Sequence, residues 1–518
     1  ELNSNHGGEF HLYIAYDIKN GVEYAKLVKS TRHGQKVSKE YKNLGRVMDK
    51  ENNIFKSREL GIYQYDIAND YYDKNPNWSG STSPVEYPER KPDRREHLIL
   101  DFGDTYLIDS FIHNNGLDKI INKCGVHNKD TLYSMICYYI LSNTANCHAK
   151  TWWEGNFARM RYPSASLESQ RISEFLSELG SEESYRSFFR AYAPYISDTV
   201  DGDNILIDST GLPNNIHFPL TAISNHNGNI SNEVRLIYVT QQSTGLPIYF
   251  RYCPGNVIDV TTLTRTIHEL KNHGVNTKFS ILDAGYYTAD NIRTLYHNKI
   301  SFVSRIPEKM SLYKELVAEH LDTIESKENL IRYNGRFIYI KRVECNVVDD
   351  FKGYAYIGLD ISRKEDEDKK LFQKADDQKL TNDEVFDKIK HHGLFVIVSS
   401  RPMATDKILP TYYTRQQIEQ IFDIGKNYAD MLPLRVQNED TFRGHLLLTF
   451  ISCVILKMMQ DKLKSTKYNP ISMFMNLRNQ KCKVYATELL TTEATKAMND
   501  CYKLFKITCP AEVSLQRG

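Results

Sequence analysis

Asn204-Ile-Leu-Ile-Asp208 and Phe279-Ser-Ile-Leu-Asp283 are short apolar runs, each closed by an aspartate. Short apolar runs of this kind read as buried strands. An acid where such a strand meets its loop lies on the rim where open sheets bind ligands. One aspartate there is more often a turn former or a helix cap; two, spaced by further strands and a helix, make a pattern. Between them, residues 234–239 and 246–251 read as strands. A helix is expected over 260–272, with Asp259 as its N-cap and Gly274 closing it. Residues 300–303 and 394–398 read as further strands, so this part of the chain is of α/β class.

A long helix is expected from about residue 406. Tyr412, Arg415, Glu419 and Lys426 stand on it at i, i+3, i+7 and i+14. At about 100° per residue they fall within an arc of about 60° on one face. Ile418, Ile421 and Phe422 form an apolar flank able to pack the helix on a sheet. A solvated charged stripe is the plain alternative. Here one acid lies among two cations and a tyrosine, the mix that holds a metal beside phosphates.

Outward from this core, residues 306–392 interrupt the series and read as a β-rich insertion, with Asn334-Gly335 as a hairpin turn. Phe337, Tyr339 and Lys341 alternate onto one face of the strand that follows. Such a face can stack bases and contact phosphate; inward packing of both rings is the plainer reading. Residues 10–16 and 22–28 read as strands around an Asn20-Gly21 turn. Pro76, Pro84, Pro88 and Pro92 mark a linker, and 98–196 turns helical. The expected organisation is a β-rich segment (1–75), a linker (76–97), a helical DNA-binding or packing domain (98–200), a core in two parts (201–305 and 393–460) around the insertion (306–392), and a basic helical C-terminal segment (461–518).

The chain has 518 residues, 41% hydrophobic and 25% charged, the composition of a globular protein with several folded units. A net charge of +1 does not mark the whole molecule for nucleic acid, but from Lys457 onward eleven basic residues face five acidic ones. The nine cysteines are scattered without any Cys-x-x-Cys pair, which argues against a zinc module and a disulfide framework. The longest apolar stretch, 446–456, falls short of the roughly 20 residues that span a bilayer. With no secretion signal at its start, the chain is expected in the cytoplasm, acting on cellular DNA, with no membrane partner.

Tyr412-x2-Arg415-x3-Glu419-x6-Lys426 resembles the signature of one large branch of DDE insertion-sequence transposases. The segments around Asp208 and Asp283 are similar to the family's first and second aspartate strands, and Pro254-Gly-Asn-Val-Ile-Asp259 to its Pro-Gly-Asn-x-x-Asp loop. Leu434-Arg435 and Arg443-Gly-His445 resemble the stretch after its glutamate helix, and the likeness reaches more loosely to Asn43-Leu-Gly-Arg46.

The resemblance implies a ribonuclease-H-like core whose first and fourth strands lie side by side. Asp208, Asp283 and Glu419 would be catalytic and would hold two Mg²⁺ or Mn²⁺ ions; Tyr412, Arg415, Lys426, Arg435, Arg443 and His445 would contact DNA. It also implies cut-and-paste transposition on double-stranded DNA with terminal inverted repeats, a target DNA, and a homodimer in the DNA complex. In the best-understood members the insertion carries a tryptophan that stabilises a flipped base. Trp78, Trp152 and Trp153 all lie outside 306–392, leaving Phe337, Tyr339 and Tyr354 as candidates for that place. The rival readings are a nuclease or resolvase of the same fold without strand transfer, and a domesticated DNA-binding protein without catalysis. The intact acids weigh against the last.

Overall fold

Leu12, Ile14 and Tyr16 recur at every second position, as do Ala25 and Leu27, the period-two spacing of residues on one face of a sheet. In the computed structural model they line the inner face of a six-stranded meander: β1 (Phe10–Lys19), β2 (Val22–His33), β3 (Lys36–Asp49), β4 (Ile54–Ser57), β5 (Gly61–Asp66) and β6 (Tyr71–Asp73). The Asn43-Leu-Gly-Arg46 motif is a bulge. Leu44 is the extra residue, and Gly45 takes a φ of +99° where a Cβ would meet the Lys56 carbonyl oxygen at 2.3 Å. This sheet lies in the first of two units, Glu1–Arg94; the second is Arg95–Gly518. The structure describes residues 10–19, 21–33, 36–74, 76, 78, 98–199, 204–214, 218–226, 229–257, 262–378, 380–429, 431, 432, 434, 436, 438–485 and 488–514. Asp259, Val260 and Arg435 lie outside them, as does nearly all of the expected linker.

In the second unit β7 (Leu98–Asp101) precedes a run of helices. The central sheet is built from β8 (Asn204–Pro213), β9 (Ala222–His226), β10 (Asn229–Gln241), β11 (Pro247–Pro254), β12 (Phe279–Leu282), β13 (Ser301–Arg305), β14 (Leu330–Tyr333), β15 (Arg336–Val348), β16 (Phe351–Asp360) and β17 (Leu394–Ser399). Its order is β11-β10-β8-β12-β13-β17-β16-β15-β14, with β9 on β10. β10 runs antiparallel to both neighbours, whereas β8, β12 and β13 are mutually parallel. β8 and β12, the first and fifth strands of this series, are therefore adjacent.

The strands of 306–392 do not form a sheet of their own. Every residue of β17 is buried, so it needs a neighbour on each edge; β13 covers one and β16 the other. The hairpin turn is as read, with Asn334 at φ 48° and Gly335 at φ 76°. On β15 the inner face is Ile338 and Ile340, while Phe337 is 52% exposed beneath the Arg332 guanidinium. Phe337 thus points outward, against the plainer reading, whereas Tyr339 is half-buried and packs against the core.

The helices of 103–199 share one hydrophobic core with the central sheet and the helices that follow it. Their closest approach is to the Glu439–Leu463 helix, where a Cβ on Gly180 would stand 1.7 Å from the Asp440 carbonyl oxygen and one on Gly444 1.9 Å from that of Leu176. That helix is long and apolar enough to cross a membrane, but 89% of its apolar window is buried within the protein, the place of a core helix. The C-terminal segment is mixed rather than helical. β18 (Lys481–Val484), β19 (Glu488–Thr491) and β20 (Glu512–Ser514) form a small sheet with β7, in the order β20-β19-β18-β7.

The two faces of β15 should separate in stability. Ile340→Ala, at a fully buried site, is expected to cost about 2–5 kcal/mol, and Phe337→Ala within about 0.5 kcal/mol, both read by urea unfolding. Equal losses would put Phe337 in the core.

Candidate active site

The ladder between β8 and β12 pairs Ile207 with Leu282, so Asp208 and Asp283 are the next residues on two neighbouring parallel strands. β8 does not stop at Asp208, as the sequence suggested. It continues to Pro213, paired on β10, with Asp208 opposite Tyr238. Tyr238 is buried and meets Phe422 edge-on at 5.6 Å, which anchors the Gln416–Tyr428 helix on this face of the sheet. Ile418 and Ile421, both fully buried, complete the apolar flank read from the sequence.

The expected single helix is two. Thr405–Tyr413 ends, Thr414 and Arg415 turn, and Gln416–Tyr428 begins. Pro410 brings no amide hydrogen to the first helix, and the Thr414 hydroxyl donates to the Thr411 carbonyl at 2.7 Å. The backbone passes the turn on i→i−3 bonds, Arg415 N–H to Tyr412 O and Ile418 N–H to Arg415 O. The turn still keeps Tyr412, Arg415 and Glu419 on one side.

Arg415 stands among the three acids. Its guanidinium lies 3.7 Å from Asp208 Oδ2 and 3.3 Å from Glu419 Oε1. Nη1 is 2.7 Å from Asp283 Oδ1, a charge contact not aligned as a hydrogen bond. Burial works against its charge, but Asp283, Tyr412, Asp208 and Glu419 outweigh that and raise its pKa. The Tyr412 hydroxyl donates to Asp283 Oδ1 at 3.4 Å, and burial pushes that phenol up. Among the described residues no three His, Cys, Asp or Glu stand close enough together to hold a metal; the spacing of these acids is that of carboxylates around a guanidinium. By chemistry alone, three carboxylates are the hard oxygen donors that an ion of the Mg²⁺ or Mn²⁺ type takes.

Lys426 donates to the Thr210 hydroxyl at 2.7 Å, two residues beyond Asp208, and burial lowers its pKa against the opposing pull of Glu233. Arg443 is not gathered with these groups, and His445 shares with Lys426 the lining of a separate cavity of about 790 Å³ that includes none of the three acids. Arg443 bonds Tyr252, Glu182 and Asp440. His445 is 5% exposed, with Nδ1 at 2.8 Å from the Tyr139 hydroxyl and Nε2 at 3.1 Å from the Met431 carbonyl. Since that carbonyl only accepts, Nε2 carries the proton and Nδ1 accepts from Tyr139. Both ring nitrogens are thus engaged within the protein.

Two cations escaped the sequence reading. Ser304 pairs with Leu282, so Arg305 emerges level with Asp283. With Lys309, Tyr412 and Tyr413 it lines a cleft of about 430 Å³ that opens on Asp283 and Arg415. The strand at 300–303 leads straight to this basic residue, the signal that would have found it. A more apolar cavity of about 540 Å³, between Leu141, Asn427 and Met475, includes none of the three acids.

Strands and helix thus define a three-carboxylate site at the rim of a mixed sheet. Residues 201–455, which contain all three acids, match the family model described as the transposase DDE domain. Among solved structures the chain is similar to a piggyBac transposase synaptic complex with hairpin DNA, at 10% identity and a TM-score of 0.38, over 68% of this chain and 70% of that one. No curated protein matches the sequence.

Arg415→Ala should leave three like charges facing one another. Breaking a buried pair costs about 3–5 kcal/mol, but Asp283 and Glu419 are 38% and 55% exposed. Screening there reduces the expected loss to about 1–2 kcal/mol, read by urea unfolding in chelator; unchanged stability would remove the guanidinium from this role. For His445, burial lowers the folded-state pKa. As pH falls below the ordinary imidazole value of about 6.5, the unfolded chain takes up a proton that the folded one refuses, and stability drops. His445→Gln should flatten that acid limb, measured as unfolding free energy between neutral and mildly acidic pH. An identical limb in the variant would assign it to other groups.

Proposed function

We propose that the chain is a DDE transposase that binds the ends of a mobile DNA element and carries out metal-dependent strand cleavage and strand transfer. The observation that carries this reading is the convergence of Asp208, Asp283 and Glu419 on one cation, inside the segment that matches the transposase DDE domain. The strand order β11-β10-β8-β12-β13, with only β10 reversed against its neighbours, supports a ribonuclease-H-like core.

The three acids would hold two Mg²⁺ or Mn²⁺ ions. Such ions, when bound, supply the Lewis acidity for in-line displacement at phosphorus. The protein's own part begins with Arg415, which must leave the carboxylates for them to take up metal. Its guanidinium is then free to grip a DNA phosphate in a forked geometry. Tyr412, bonded to Asp283, orients that carboxylate, and Lys426 fixes Thr210 on the strand that carries Asp208. Arg305 and Lys309 lend positive charge to the cleft beside Asp283, where a DNA strand would approach. The partners are double-stranded DNA with terminal inverted repeats and a target DNA, held by two protomers.

Asp208→Asn, Asp283→Asn and Glu419→Gln should each abolish cleavage of a fragment carrying the element's ends while leaving its gel-shift binding in place. Wild-type activity should require Mg²⁺ or Mn²⁺ and fail with Ca²⁺. Cleavage at wild-type rate by any of the three variants, or in chelator, sinks the site. Cleavage without joining of the released ends would leave a nuclease.

A further inference from the structure

The N-terminal sheet lies outside the catalytic segment, and its outer face has a pattern of its own. Residues paired across a ladder share a face, so register assigns them. Tyr13 pairs with Val28 and Val28 with Tyr41, giving one row across β1, β2 and β3. The neighbouring rows on the same face are His11-Ser30-Lys39, Ala15-Lys26-Asn43 and Asp17-Tyr24-Arg46, the last continuing to Lys56 on β4. The opposite face carries Leu12, Ile14, Tyr16, Ala25 and Leu27 and is packed.

Three rings on the outer face stay open to solvent: Tyr13 at 42%, Tyr24 at 39% and Tyr41 at 65%. Lys26, Lys39, Arg46 and Lys56 surround them, none paired with a carboxylate among the described residues. Lys42 and Lys50, by contrast, are neutralised by Asp70 and Glu23. By register, Asp17 and, at the end of β3, Asp49 are the acids on this face of β1–β3 among the described residues. Exposed tyrosines interleaved with unneutralised cations are what a single-stranded nucleic acid requires, since rings stack on base faces and cations track the phosphates. A duplex hides its base faces, so these rings would have nothing to stack on. We propose that the outer face of β1–β3 is a binding surface for single-stranded DNA, separate from the catalytic site and independent of the reaction assigned to it.

The test uses the full-length chain with fluorescein-labelled oligothymidylate and with a labelled duplex. Replacing thymidine by 5-iododeoxyuridine and irradiating should crosslink the strand to Tyr13, Tyr24 or Tyr41, located by peptide mapping. The triple variant Tyr13→Ala, Tyr24→Ala, Tyr41→Ala should bind oligothymidylate at least about tenfold more weakly, with duplex binding unchanged. Lys26→Gln, Lys39→Gln, Arg46→Gln together should flatten the log–log salt dependence by about two units. This second set disturbs no packed side chain and decides the matter if the tyrosine variant unfolds. Crosslinks confined to residues beyond 95, with both variants binding like wild type, would overturn the proposal. Equal weakening of single strand and duplex would overturn the single-strand assignment.

Discussion

Because Ile207 faces Leu282 across a parallel ladder, the next residue on each strand, Asp208 and Asp283, must emerge at one level on neighbouring strands. Interstrand spacing in a sheet is about 4.8 Å, so two carboxylates at such positions repel unless a cation lies near. Much else around the site answers that constraint. The helix anchored by Ile418, Ile421 and Phe422 delivers Arg415 to both acids and Glu419 to Arg415. The turn at Thr414 and Arg415 sets the guanidinium at the junction of two short helices rather than on the flank of one long one.

A guanidinium is a useful occupant for such a place. It is always charged, so it compensates the acids at any physiological pH, yet its long stem can swing without disturbing the backbone. Lys426 plays a different part: half-buried and bonded to Thr210, it ties the far end of the same helix to the strand of the first aspartate. The helix is thus attached to that strand at two points along its length, through Arg415 and Lys426.

The three acids were legible because each rests on a local pattern: an apolar run ending in Asp, or an apolar flank at helical spacing. The hairpin at Asn334-Gly335 was legible for the same reason, since only residues tolerant of positive φ fit its turn. What escaped the sequence was set by partners distant along the chain. β8 continues past Asp208 because β10 offers it a ladder. His445 sits where the family resemblance suggested a DNA contact, but Tyr139, far away in sequence, takes its ring into the core. The strands of 330–360 join the central sheet because β17, buried along its whole length, needs an edge partner. The helix break after Tyr413 combines Pro410 with a threonine that bonds backward, a local signal overridden in the reading by the longer periodicity.

The crossing of Gly180 and Gly444 bears on how freely such a chain can be recombined. Backbone atoms there stand where any side-chain carbon would collide with a carbonyl oxygen, and the two glycines come from segments far apart in sequence. Neither glycine can drift alone, since each meets the other's backbone. The helical segment and the segment that carries the three acids are therefore not interchangeable cassettes. A chimaera that took one from a relative with a bulkier residue at this contact would force the helices apart and loosen the shared interior, so the two would be inherited as a matched pair.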